Sequence, residues 1–247
     1  MRTDPRDRLI VALDVADLAR AEQLMDRLQG LVTTYKVGSQ LFTAAGPAAV
    51  ESVRKRGGRV FLDLKFHDIP TTVAGAVREA VGLGCFMVNV HAAGGSAMLR
   101  AAAEAAAEAA RALSVARPLL LAVTVLTSLD RAALQRELNV PLAVEGQVLH
   151  LAGLAKAAGL DGCVASAQEA RLLRGALGRE WVIVTPGIRP SRAPTEGGSA
   201  TDDQARSLTP AEAIRAGADY LVVGRPITQA EDPASAAQAI IQELAGG

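Results

Sequence analysis

The feature that most constrains this chain is a rhythm of short apolar runs and helical segments. Apolar runs lie at 9–14 (LIVALD), 32–38 (VTTYKVG), 59–65, 85–90 (CFMVNV), 118–126 (PLLLAVTVL), 161–166 (DGCVAS), 181–185 (WVIVT) and 219–223 (DYLVV). Continuous runs of this kind suit strands buried on both faces, as in a parallel sheet. Between them the spacing turns helical. Leu18, Ala21, Leu24, Met25 and Leu28 share one face of 17–28, the stripe of an amphipathic helix. A helix over 40–56 is stopped by Gly57 and Gly58, and Pro70 opens one running to about Gly84. Others are predicted over 95–113, 130–138, 142–158, 168–177 and 233–245. One more starts at Thr209, with Pro210 in its first turn and Glu212 placed for a capping box. Strict alternation implies parallel strands joined by helical crossovers. Eight such units in 247 residues fit a closed (β/α)8 TIM barrel better than an open sheet, with one domain over 1–247 and no linker.

Composition narrows the partners. Half of the residues are hydrophobic, enough for a large core, and 26 basic side chains balance 26 acidic ones. A formal net charge of +0 argues against a general nucleic-acid or membrane surface. Any anion site must be local. Cys85 and Cys163 sit in apolar runs and read as reduced core residues. The N-terminus has no signal-peptide pattern, and no apolar run approaches the ~20 residues of a membrane span. A reducing cytoplasm is the expected location.

Barrels of this kind carry their chemistry at the C-terminal ends of the strands, and polar residues collect there. Asp14 follows the first run, Lys36 the second, Asp63 and Lys65 the third, His91 the fourth and Thr127 the fifth. Gly187 to Arg189 follow the seventh run, and Gly224 and Arg225 the eighth. Asp63 and Lys65 are two apart, so both point to one side of a strand. Lys36 is expected on the neighbouring strand, about 4.8 Å away. The three form a plus-minus-plus array, readable as a structural ion network or as a catalytic floor. Its surplus positive charge invites an anionic ligand or another carboxylate. Asp68 alone reads more readily as a helix N-cap than as a catalyst, because IPTT follows it. His67 reads as solvent-facing or supporting, His91 as a packed, hydrogen-bonded support, and His150 as structural. Gly224 allows close backbone approach to a ligand, and Arg225 adds a charged fork. With TPGIR at 185–189, this pair suggests a substrate carrying a phosphate.

The stretch DLKFHDIPTT resembles the signature D-x-K-x-x-D-I-P-x-T of the orotidine 5′-phosphate decarboxylase family. VALD at 11–14, YKVG at 35–38, NVHA at 89–92, VTVLTS at 123–128, TPGIR at 185–189 and VVGRPI at 222–227 match in the family's order. D-x-K-x-x-D alone is shared with 3-keto-gulonate 6-phosphate decarboxylases; the HDIP continuation and TPGIR favour the orotidine enzyme. The resemblance implies cofactor-independent decarboxylation of orotidine 5′-phosphate to UMP. Lys65 would be the proton donor, with Asp63 against the substrate carboxylate. Lys36 and Asp14 would meet the ribose, and Thr127 and Ser128 the pyrimidine. Arg189, Gln204, Gly224 and Arg225 would hold the phosphate. Asp68 and Thr72 would reach into the partner's site of a homodimer, with Asp68 completing a Lys-Asp-Lys-Asp tetrad. Two departures stand out: the stretch 191–204 is a few residues longer than the family leads one to expect, and Thr71 stands where Asn is common.

The chemistry needs such an array. Loss of CO2 from C6 leaves an in-plane carbanion that the ring carbonyls cannot delocalise. Preorganised charge in a water-poor site is the remaining tool, and an ammonium can both stabilise the carbanion and protonate it. The nearest alternative is a metal-dependent sugar-phosphate decarboxylase or epimerase on the same barrel, with Asp14 and Asp63 as metal ligands. A different class is a non-catalytic barrel that binds a nucleotide phosphate, which leaves Lys65 without a task.

Overall fold

The computed structural model describes residues 4–190 and 208–246. Eight parallel strands follow one another around a closed barrel in chain order. They are β1 (Leu9–Ala12), β2 (Thr34–Gly38), β3 (Arg59–Phe66), β4 (Met87–His91), β5 (Leu119–Val123), β6 (Gly162–Val164), β7 (Val182–Thr185) and β8 (Tyr220–Val223). The expected TIM barrel is the observed architecture. Its helices are α1 (Pro5–Arg8), α2 (Leu18–Arg27), α3 (Ser39–Ala45), α4 (Pro47–Lys55), α5 (Pro70–Gly82) and α6 (Gly95–Leu113). There follow α7 (Arg131–Arg136), α8 (Val144–Ala157), α9 (Ala167–Leu177), α10 (Pro210–Ala216), α11 (Arg225–Thr228) and α12 (Pro233–Ala245).

Period-two alternation builds the barrel's two apolar layers. Leu9, Val11, Val37, Leu62 and Val88 pack outward against the helices. Ile10, Ala12, Phe61, Met87, Leu121, Val184 and Val222 fill the interior. The lower end is plugged by Arg59, whose guanidinium lies 4.5 Å from the Phe86 ring centroid and 2.8 Å from Asp7. Arg174 ties the start of β7 to that of β8. It donates to the carbonyls of Trp181 at 2.7 Å and Gly217 at 2.8 Å, and pairs with Asp219 at 2.6 Å. Thr209 and Glu212 form the expected capping box on α10. Cys85 and Cys163 are free and buried, as expected of core residues. Burial pushes the Cys163 thiol up to about 12, and its Sγ accepts the Trp181 indole N–H.

Two local expectations need correction. The segment 40–56 is not one helix: it breaks at Gly46 (φ 57°), between α3 and α4. Pro47 supplies no N–H to an earlier carbonyl and disfavours helical backbone in the residue before it. Glycine takes the left-handed turn that results at little cost. Asp68 does not cap α5. The N-cap is Ile69, without a side-chain capping bond, and the Asp68 carboxylate accepts the Ile69 N–H at 2.6 Å.

Candidate active site

The interior face of the barrel changes character toward the C-terminal ends of the strands. Parity places Lys36 above Thr34 on β2, Asp63 above Phe61 on β3, and Asn89 above Met87 on β4. Lys36 donates to Asp14 Oδ1 at 2.8 Å and lies 3.3 Å from Asp63 Oδ2. Lys65 donates to Asp63 Oδ1 at 2.8 Å. The result is a continuous line of alternating charge: Asp14, Lys36, Asp63, Lys65. Asp14 is the additional carboxylate that the surplus positive charge invited. Side-chain exposure is 53% at Asp14, 11% at Lys36, 12% at Asp63 and 38% at Lys65, so the line is buried at its middle and open at both ends.

Burial alone would push Lys36 down and Asp63 up. For each, the opposite charges beside it win. Asp63 and Asp14 hold the Lys36 ammonium above its ordinary value. Lys36, Lys65 and the Asn89 amide hold the Asp63 carboxyl below its own. The buried pair is therefore kept ionised, as close partners dictate.

The strand carrying Asp63 and Lys65 is not a regular ladder. Its register with β4 shifts between Leu62 and Phe66, and Lys65 has φ 52°. Left-handed backbone costs a residue with a side chain roughly 1–2 kcal/mol, so it persists where its surroundings hold it. Here the Lys65 N–H donates to Asn89 Oδ1 at 2.8 Å, while Asn89 Nδ2 donates to Asp63 Oδ1 at 2.6 Å. Alternation alone brought Asp63 and Lys65 to one side, but the bulge sets their final geometry. Asn89 is the residue the motif reading missed. Its signal was present: a lone amide inside the apolar run CFMVNV, at the inward parity.

A cleft of about 1050 Å³ opens over the array. Asp14, Lys36, Asp63 and Lys65 line one side, while Val123, Val125, Leu126 and Val164 make an apolar wall opposite. Thr127, Arg189, Gly224 and Arg225 also line it, as does Gln229, which the motif reading did not single out. Ser128 is exposed and outside the lining. Asp68 and Thr72 line a separate shallow depression with Phe66 and His67, and Lys65 borders both spaces. Among the described residues Asp68 has no ion pair, so within one chain it stands apart from the array. Gln204 lies outside the described residues. His91 is half-buried, accepts the Ala93 N–H at 3.3 Å and stacks on the exposed His67 with centroids 5.0 Å apart, so it is packed and hydrogen-bonded as expected. His150 is exposed on α8.

A parallel barrel with a buried line of alternating charge at its catalytic mouth defines a class of enzyme. The chain belongs to the orotidine 5′-phosphate decarboxylase / HUMPS family, which it matches over residues 7–240. It is 59% identical over 244 residues to an orotidine 5′-phosphate decarboxylase of Moorella thermoacetica, covering 99% of this chain and 94% of the relative. The enzyme of that name from Syntrophotalea carbinolica is 55% identical over 245 residues, 99% of this chain and 98% of the relative. The crystal structure of orotidine 5′-phosphate decarboxylase from Lactobacillus acidophilus superposes with a TM-score of 0.83 at 36% identity, covering 96% of this chain and 99% of that one.

Proposed function

We infer that the chain catalyses decarboxylation of orotidine 5′-phosphate to UMP and CO2, the last step of de novo pyrimidine nucleotide synthesis. It is a carboxy-lyase; its family and its relatives at 59% and 55% identity support that activity. The observation that carries the mechanistic reading is the 2.8 Å contact between Lys65 Nζ and Asp63 Oδ1 at the edge of the cleft.

In this reading the substrate carboxylate lies beside Asp63 and C6 beside Lys65. Crowding two carboxylates favours departure of one as neutral CO2. The Lys65 ammonium stabilises the carbanion as it forms and then delivers a proton to C6. No cofactor enters the step. Lys36 and Asp14 hold the ribose hydroxyls, Thr127 meets the pyrimidine with Ser128 just beyond the cleft lining, and the base rests on the apolar wall. Arg189, Gln204, Gly224 and Arg225 hold the phosphate, whose binding energy helps align the reacting end. Asp68 and Thr72 come from the second subunit of a homodimer and complete a Lys-Asp-Lys-Asp tetrad. Asp68 and Thr72 lying in a depression apart from their own chain's cleft support this arrangement. Closure of all eight strands into one barrel supports reading 1–247 as a single domain. No helix among the described residues is long and apolar enough to cross a membrane, which is compatible with the cytoplasmic location proposed for it.

The metal-dependent alternative asks Asp14 and Asp63 to share a cation. The Lys36 ammonium stands between those two carboxylates, 2.8 Å from one and 3.3 Å from the other, and would have to leave. The deciding assay follows loss of orotidine 5′-phosphate with excess chelator present. Undiminished turnover is expected; turnover abolished by the chelator and restored by a divalent metal would overturn the cofactor-independent mechanism.

A further inference from the structure

We propose that Asn89 is a positioning residue for this reaction: one buried amide fixes both the direction of the Asp63 carboxylate and the backbone that aims Lys65. The inference rests on the decarboxylase reading above and extends it to a residue outside the charged array. Asn89 is fully buried, in the middle of β4, with its backbone paired in register to Leu121. Its platform is therefore a sheet, not a loop. Its two polar ends face different targets. Nδ2 reaches Asp63 Oδ1 at 2.6 Å, and Oδ1 receives the Lys65 N–H at 2.8 Å. The opposite amide orientation would set an oxygen against the carboxylate and an N–H against an N–H, so the chemistry fixes the assignment.

Each contact has a consequence that charge alone does not supply. Lys36 and Lys65 attract Asp63, but two flexible ammonium groups leave a carboxylate free to turn. A third donor on a rigid strand removes that freedom. Asp63 Oδ1 then faces Lys65 and Asn89 together, while Oδ2 faces Lys36. At Lys65, the Asn89 oxygen lies where β3 leaves its ladder with β4 and the backbone adopts φ 52°. Without that acceptor, a partly buried N–H loses its partner and the left-handed turn loses its tether. The lysine would keep its charge and its neighbours but not its aim.

Three variants test this. Asn89→Ala removes both contacts. Asn89→Leu removes both while filling the space. Asn89→Asp keeps the acceptor for Lys65 and sets a second acid against Asp63. For each, kcat, KM, UMP affinity, thermal melting and the pH profile of kcat are compared with wild type. Asn89→Ala and Asn89→Leu are expected to lower kcat at least tenfold with UMP affinity changed less than about threefold, since Arg189 and Arg225 lie elsewhere. The acid limb of kcat should move to higher pH, and furthest in Asn89→Asp, because Asp63 loses a donor that favours its ionised form. A kcat within twofold of wild type with an unmoved acid limb overturns the proposal. Equal losses of kcat, UMP binding and melting temperature, or failure of all three variants to fold, make Asn89 a core residue and overturn it as well. Wild-type enzyme assayed alongside separates the two claims: no wild-type turnover sinks the decarboxylase reading, whereas normal wild-type turnover with unaffected variants sinks this one alone.

Discussion

Gly38 leaves open the space in which the Lys36 ammonium lies. A Cβ at position 38 would stand 2.9 Å from Lys36 Nζ and 3.1 Å from Asp14 Oδ1. The glycine has φ −93°, so an alanine would not be strained by its backbone. The long lysine can swing aside, but only by leaving its two carboxylates. Gly38→Ala is therefore expected to melt within a few degrees of wild type while kcat/KM falls about tenfold, ~1.4 kcal/mol of transition-state stabilisation. Wild-type kinetics in this variant would mean that the position of Lys36 is not critical.

Lys65 is the proton donor in the proposed mechanism. Lys65→Ala should fold, as judged by an unchanged circular dichroism spectrum, and should lose nearly all turnover. Retention of more than about a tenth of the wild-type rate, a loss of only ~1.4 kcal/mol, would remove Lys65 from the central role.

Asp68 stands outside its own chain's array. If it serves the second subunit, inactive Asp68→Ala chains mixed with inactive Lys65→Ala chains will regain part of the activity, because one site in each mixed dimer carries both intact residues. Verified mixed dimers that stay inactive would assign Asp68 to its own subunit.

Arg225 lines the cleft and is not a member of the charged line. Losing one charge-assisted hydrogen bond to a phosphate should cost about 1.5–3 kcal/mol, or roughly 10- to 160-fold in kcat/KM. The nucleoside orotidine, which has no phosphate, should be turned over equally by wild type and Arg225→Ala. A large effect of the substitution on orotidine itself would contradict phosphate anchoring by this residue.

Acid should weaken the fold in two stages. Burial, then His67 and Lys65, hold the His91 imidazole below its ordinary value, so the unfolded chain binds the extra proton first. Its contribution to stability is complete above the unfolded value of ~6.5 and is lost as pH falls through the lower folded value. Asp63, also held low, adds a second loss that begins only below its unfolded value of ~3.9. His91→Gln should flatten the decline of melting temperature just below pH ~6.5 and leave the more acidic decline in place. An unchanged profile would show that His91 does not couple folding to protons.

The alternation of apolar runs with amphipathic segments was enough to read the barrel, because burial on both faces of a parallel strand leaves a continuous apolar signature. The Gly46–Pro47 break is lost in the reading of one helix over 40–56, although Pro47 cannot sit inside a continuous helix without loss of a hydrogen bond. Asp14, Lys36, Asp63 and Lys65 were legible as charges at strand ends. Their order was not: that Asp14 neutralises Lys36 depends on two side chains meeting across neighbouring strands. Nor could parity give the left-handed backbone of Lys65, since a bulge depends on the partner strand. Asp68 misled for a local reason. Asp before a helix is a common cap, but Pro70 occupies the first helical position and the carboxylate turns back to the Ile69 N–H.

Arg174 gathers the starts of β7 and β8 at the end of the barrel opposite the cleft. The Arg174 cross-ties and the charged line thus sit at different rims of one sheet. Substitutions confined to the lower rim would leave every residue lining the cleft as it is.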